Sequence, residues 1–85
     1  MLPVVVYTKP YCSYCTSAKA LLRRKGVAFT EIDIADAPGL RDEMVRRANG
    51  LTTVPQIFIG PDHVGGSDEL YALDGAGKLD PMLAV

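Results

Sequence analysis

The spacing of apolar and polar positions changes repeatedly along the chain, and each change marks an element. Near the N-terminus, PVVVYT is a β-branched run without polar alternation. It predicts a central strand covered on both faces. From Ser13 to Lys25 the period becomes helical. Ala18, Leu21 and Leu22 share a face, Arg23, Arg24 and Lys25 crowd the last turn, and Gly26 supplies the stop. In VAFTEID, Val27, Phe29 and Glu31 alternate with Ala28, Thr30 and Ile32, which predicts a second strand. Pro38 opens a second helix with Leu40, Met44, Val45 and Ala48 on one face, and Asn49-Gly50 closes it. QIFIG and HVGG flank Gly60-Pro61-Asp62, a β-hairpin pattern in which His63 is an ordinary strand residue. Ser67 is a suitable N-cap for a last helix through DELYAL, which Gly75 ends or interrupts. Tyr7, Phe29, Phe58 and Tyr71 read as packing residues, not as a stacking surface.

The predicted order is βαβαββα, an α/β chain with a four-stranded mixed sheet. A crossover helix makes the first two strands parallel, the hairpin adds antiparallel strands, and helices cover both faces. Eighty-five residues are expected to form one domain, 1–85. Composition narrows the classes. Hydrophobic residues make up 48% of the chain, which excludes a disordered chain, and a net charge of −1 leaves no basic footprint for nucleic acid or an anionic membrane. No apolar run approaches the roughly 18 residues of a membrane span, and MLPVVVYTK lacks the basic region and apolar stretch of an export signal. The expectation is a cytoplasmic protein in a reducing compartment.

There, a disulfide staple is disfavoured, and a close cysteine pair points to catalysis or metal. Cys12 and Cys15 are the only cysteines, and TKPYCSYCTSAK sets them where the first strand gives way to the first helix. Zinc needs about four ligands, and one CxxC with a distant His63 supplies too few. A redox pair fits the placement. The thiolate is the attacking species, and a free thiol with a pKa near 8.5 is mostly protonated at neutral pH. A helix N-terminus presents unpaired N–H groups and roughly half a positive charge. Cys12 sits at that end with Lys9 nearby, whereas Cys15 lies a turn inside. Cys12 is therefore expected to attack and Cys15 to resolve the mixed disulfide.

Three segments, YTKPYCSYC, TVPQIFI and GGSDELYALD, resemble in order and spacing those that build the glutaredoxin active site. The similarity runs nearly end to end. It implies a thioredoxin-like fold and a glutathione site. On that resemblance Thr53-Val54-Pro55 forms a loop facing the cysteines with Pro55 cis, and the Val54 backbone pairs with extended glutathione. Gly66-Ser67 opens a helix that receives the α-carboxylate, Asp68 pairs with the neighbouring ammonium, Lys9 takes the glycyl carboxylate and Tyr14 walls the sulfur. The implied partners are glutathione, glutathionylated or disulfide-containing proteins and, indirectly, an NADPH-dependent glutathione reductase. A close alternative is a redoxin reduced directly by thioredoxin reductase, which would not need the glutathione cradle.

Two positions depart from the family pattern. Ser13 stands where many dithiol glutaredoxins have proline, and Leu51 where some relatives carry a basic residue, although Arg46 and Arg47 lie close in sequence. Some glutaredoxins without that proline hold a [2Fe–2S] cluster between two protomers. Ser13 keeps this open here, with Cys12 as the possible cluster ligand; otherwise a monomer without metal is expected.

Overall fold

In the computed structural model, which describes residues 2–84, four strands form one mixed sheet in the order β2-β1-β3-β4. The elements are β1 Val4–Thr8, α1 Ser13–Arg24, β2 Thr30–Asp33, α2 Leu40–Arg47, β3 Gln56–Ile59, β4 Asp62–Gly65, α3 Ser67–Gly75 and α4 Leu79–Leu83. β1 runs parallel to β2 in the register Val6↔Glu31 and antiparallel to β3 in the register Val6↔Ile57, and β3 pairs antiparallel with β4. The expected mixed sheet and its pairings are therefore present.

Strand geometry explains why PVVVYT shows no polar alternation. Successive side chains point to opposite faces, and here both faces are covered. Val4, Val6, Ile57 and Ile59 pack with Ala18, Leu21 and Leu22 of α1 and Leu70 of α3. Tyr7 and Phe58 face the other way and pack with Met44 and Ala48. α1 ends as Gly26 predicts. The Gly26 N–H donates to Arg23 O (3.0 Å), the Val27 N–H to Leu22 O (3.2 Å), and Gly26 takes φ +72°, the left-handed turn that glycine adopts at least cost.

The structure differs from the expected order in four places. A short additional helix, α4, comes after α3, so the order is βαβαββαα. Its Leu79 and Leu83 are buried in the larger core, and Lys25 bridges α1 to it through Asp80 (2.9 Å) and to α3 through Asp74 (2.6 Å). α3 itself does end at Gly75, and the left-handed turn follows at Gly77, φ +71°. Gly66, not Ser67, is the N-cap of α3. Ser67 is the first helical residue and is buried, while the Gly66 N–H is taken by Glu69 Oε1 at 3.0 Å. Finally, β2 is shorter than VAFTEID, since only Thr30–Asp33 find partners on β1, and α2 begins at Leu40 after Gly39 instead of at Pro38. Of the aromatic residues, Tyr7 and Phe58 are core, Phe29 is half-buried, and Tyr71 lies exposed along α1 with its hydroxyl donating to Ser17 O (3.0 Å).

Candidate active site

β1 delivers the chain to the cysteine loop. Thr8 ends the strand, and Tyr11, fully exposed at φ +58°, turns the backbone into α1. Cys12 is the N-cap of that helix, with extended backbone (φ −116°, ψ 107°), and its sulfur accepts the Cys15 N–H at 3.2 Å. A sulfur thus occupies the position where an N-cap oxygen usually satisfies a free helix N–H. No acidic side chain lies in the first turn to oppose a negative charge there. Across the loop, the Cys12 thiol reaches the Val54 carbonyl at 3.8 Å.

The two cysteines have different surroundings. Cys12 is partly exposed, whereas Cys15 is 2% exposed beneath it. Burial, then the hydrogen bond with Cys12, pushes the Cys15 thiol up to about 11; the Lys9 backbone N–H and the Lys19 charge oppose this only in part. Cys15 is consequently a neutral thiol at physiological pH, and Cys12 is the sulfur open to solvent. Lys19 is held in place by Glu31 (2.9 Å), which also accepts from the buried Thr8 hydroxyl (2.8 Å). Lys19 and then Thr8 hold the Glu31 carboxyl below its ordinary range.

A raised thiol pKa has a consequence for stability. The folded state favours the protonated Cys15, and the unfolded chain releases that proton first, so stability present below about 9 is lost as pH climbs towards 11. We expect the reduced wild type to lose about 2 kcal/mol more than Cys15→Ser across that window. Urea unfolding of both proteins at pH 8 and pH 10.5 checks this; parallel losses would show that Cys15 does not titrate in this way.

Two grooves meet beside Cys12 and share Tyr14, Thr53 and Val54. The larger, about 550 Å³, has Lys9, Cys12 and Arg41 on its walls. The smaller, about 240 Å³, runs to Pro55, Gly66, Ser67 and Asp68. The Val54–Pro55 peptide is cis, in line with the expectation from the family. At the far end, the N–H groups of Ser67 and Asp68 belong to the first turn of α3, where no preceding carbonyl of the helix reaches them. The residues expected to bind glutathione or attack it thus line one trough, and Cys15 lies below it.

The trough also contains residues that the sequence pattern does not single out: Arg41, Ile34, Thr52 and Glu69. Arg41 lines the same groove as Lys9 and supplies a second cation there. Arg47 is engaged elsewhere, donating to the Tyr7 hydroxyl (2.8 Å) and stacking 4.4 Å from the Phe58 ring, while Arg46 is exposed outside the groove. No local pattern marks Arg41, because its neighbour Lys9 lies on another element.

A thioredoxin-like sheet that carries an accessible cysteine at a helix N-terminus, with a buried second thiol one turn on, defines a thiol–disulfide oxidoreductase. Comparison with known proteins narrows the class. The glutaredoxin family model matches residues 4–64. A glutaredoxin of Pseudomonas aeruginosa is 58% identical over 84 residues, covering 99% of both chains. The solved buckwheat glutaredoxin–glutathione complex superposes with a TM-score of 0.89 at 34% identity, over 98% of this chain and 77% of that one. A further solved structure, named "Metal Binding of Glutaredoxins", is 59% identical with a TM-score of 0.74, over 98% of this chain and 89% of the other. The chain belongs to the glutaredoxin family.

Proposed function

We propose that this oxidoreductase is glutathione-dependent and reduces both protein–glutathione mixed disulfides and protein disulfides. The observation that carries the reading is the order of groups along the trough. Lys9 and Arg41 line one groove, the Cys12 sulfur lies against Val54 of the wall the two grooves share, and the first-turn N–H groups of α3 with Asp68 line the other. Glutathione has a carboxylate at each end, a thiol between them and an ammonium beside one carboxylate. Its groups match the trough in sequence and in charge. The glutathione complex of the buckwheat relative supports the same reading.

Held in this way, a glutathionyl group presents its sulfur to Cys12. The Cys12 thiolate attacks that sulfur, the bond to the protein sulfur breaks, and the protein thiolate leaves and takes up a proton. A second glutathione thiolate then attacks the glutathionyl sulfur on Cys12. Glutathione disulfide departs, and the Cys12 thiolate returns. The protein cysteine is reduced, glutathione is oxidised, and an NADPH-dependent reductase restores glutathione. With a protein disulfide, Cys12 forms the mixed disulfide and Cys15 attacks it. The Cys12–Cys15 disulfide that results is then reduced by two glutathione molecules.

Turnover coupled to glutathione and glutathione reductase, set against turnover with thioredoxin reductase alone, tests the proposal. NADPH consumption is expected only with the first system. Turnover by thioredoxin reductase without glutathione would overturn it.

A second reading rests on Cys12 and Ser13. Among the described residues no group of three or more His, Cys, Asp or Glu side chains could hold a metal, and one chain offers one accessible cysteine sulfur. That donor set fits a [2Fe–2S] cluster only when two copies share it and two glutathione thiols complete the four ligands. The relative named for metal binding supports a metal-bound form. Anaerobic reconstitution with iron, sulfide and glutathione is expected to give a coloured dimer that Ser13→Pro suppresses. A colourless monomer, with its thiols verified as reduced, would remove this reading.

A further inference from the structure

Thr53 and Val54 form the shared wall of the trough, yet they lie outside every strand. What holds them is a side chain. Gln56, the first residue of β3 and 1% exposed, reaches back so that its Nε2 donates to Thr53 O (3.0 Å) and to Thr53 Oγ1 (3.3 Å). The amide nitrogen is thereby engaged on Thr53, and the Gln56 Oε1 is left as an acceptor. It lies 2.6 Å from His63 Nε2. Since Gln56 presents an oxygen there, His63 is the donor, and its Nε2 carries the hydrogen.

The sheet sets up this contact. His63 pairs with Phe58 across the β3–β4 ladder, and the register slips between Ile57 and Phe58 so that Val64 has no opposite partner. That irregularity brings His63 onto the face shared by Phe58 and Gln56, with its ring stacked 4.9 Å from Phe58 at 26°. Gln56, two residues before Phe58 on β3, is the diagonal neighbour of His63, within reach of a long side chain. The stack fixes the imidazole, the imidazole orients the carboxamide, and the carboxamide holds Thr53. Without the imidazole donor, the carboxamide would be free to turn and set its oxygen against the Thr53 carbonyl.

We propose that His63 is a positioning residue for thiol transfer: through Gln56 it fixes the Thr53 carbonyl, and so the Val54 backbone edge beside Cys12. Its kinetic consequence rests on the reading of the trough as a glutathione site. Its structural consequence does not.

Two substitutions separate donation from stacking. His63→Phe keeps an aromatic ring on Phe58 and removes the donor; His63→Gln loses the ring but places an N–H close to the position of Nε2. With a glutathionylated peptide and saturating glutathione, His63→Phe is expected to raise KM about three- to tenfold, the loss expected for a neutral hydrogen bond, with kcat changed less than about twofold. Reduction of a small disulfide without glutathione, driven by dithiothreitol, should change less than twofold. His63→Gln should restore the wild-type KM to within twofold. Thermal melts confirm that both variants are folded, and amide hydrogen exchange at Thr53 and Val54, followed by NMR without ligand, reads the loop directly. Faster exchange is expected in His63→Phe alone. Unchanged exchange in His63→Phe, or equal impairment in the two variants, would overturn the relay. A wild type that shows no preference for the glutathionylated peptide would instead overturn the glutathione reading, and the exchange experiment would still decide the relay.

Discussion

Replacing Cys12 with serine is expected to abolish both deglutathionylation and protein-disulfide reduction, a loss of at least about a thousandfold. Replacing Cys15 should divide the two activities. Removing a glutathionyl group needs one enzyme nucleophile, because the second thiol comes from free glutathione. Cys15→Ser should therefore keep most deglutathionylation, and can improve it by blocking the internal disulfide. Resolving a protein mixed disulfide is different. A thiol held one helical turn away acts at an effective concentration far above that of free millimolar glutathione. Cys15→Ser should lose most of that activity. The surroundings of the two sulfurs supply the reason: Cys12 is accessible and accepts a helix N–H, whereas burial keeps Cys15 protonated until a disulfide forms beside it. Both assays on both variants provide the measurement. Equal loss of deglutathionylation in the two variants would show that this division of labour is wrong.

Asp68→Ala is expected to lower kcat/KM for a glutathionylated peptide by about 5- to 150-fold, equivalent to 1–3 kcal/mol for a charge-assisted hydrogen bond. Asp68 sits in the first turn of α3 and lines the smaller groove. It can meet an ammonium while the adjacent N–H groups meet a carboxylate. The same substitution should spare a disulfide that has no glutathionyl group. Equal losses with both substrates would mean that Asp68 acts through the fold, for instance by supporting the helix terminus.

Much of the fold and of the site is legible in the sequence because the relevant signals are local. A β-branched run marks β1, helical spacing marks α1 and α2, Gly60-Pro61-Asp62 between two short runs marks the hairpin, and a CxxC at a strand-to-helix junction marks the cysteine pair. The absence of polar alternation in PVVVYT points to a strand covered on both faces, which the division of Val6 and Tyr7 between two cores bears out. The boundary errors have a common cause. Ser67 has the chemistry of an N-cap, but burial and the Glu69 carboxylate on the Gly66 N–H put the cap one residue earlier. Five residues of α4 are too few to show a period, and that helix is held by the burial of Leu79 and Leu83 and by the Lys25–Asp80 pair.

By itself, then, the sequence determined the order of the main elements, the parallel and antiparallel pairings, and the placing of two cysteines at the junction of the first strand and the first helix. Each of these comes from spacing within a few residues or from the short reach of a connection. Tertiary structure decided what no short window contains. It brought Arg41 into the groove with Lys9, engaged Arg47 on Phe58 and Tyr7, and set His63 against Gln56. It also made the cysteines unequal, because the burial of Cys15 depends on elements packed around it and not on the four residues of its motif. Side chains distant in sequence become neighbours only through strand register and helix packing, and a charge or proton affinity that depends on those neighbours is set only when the fold is complete.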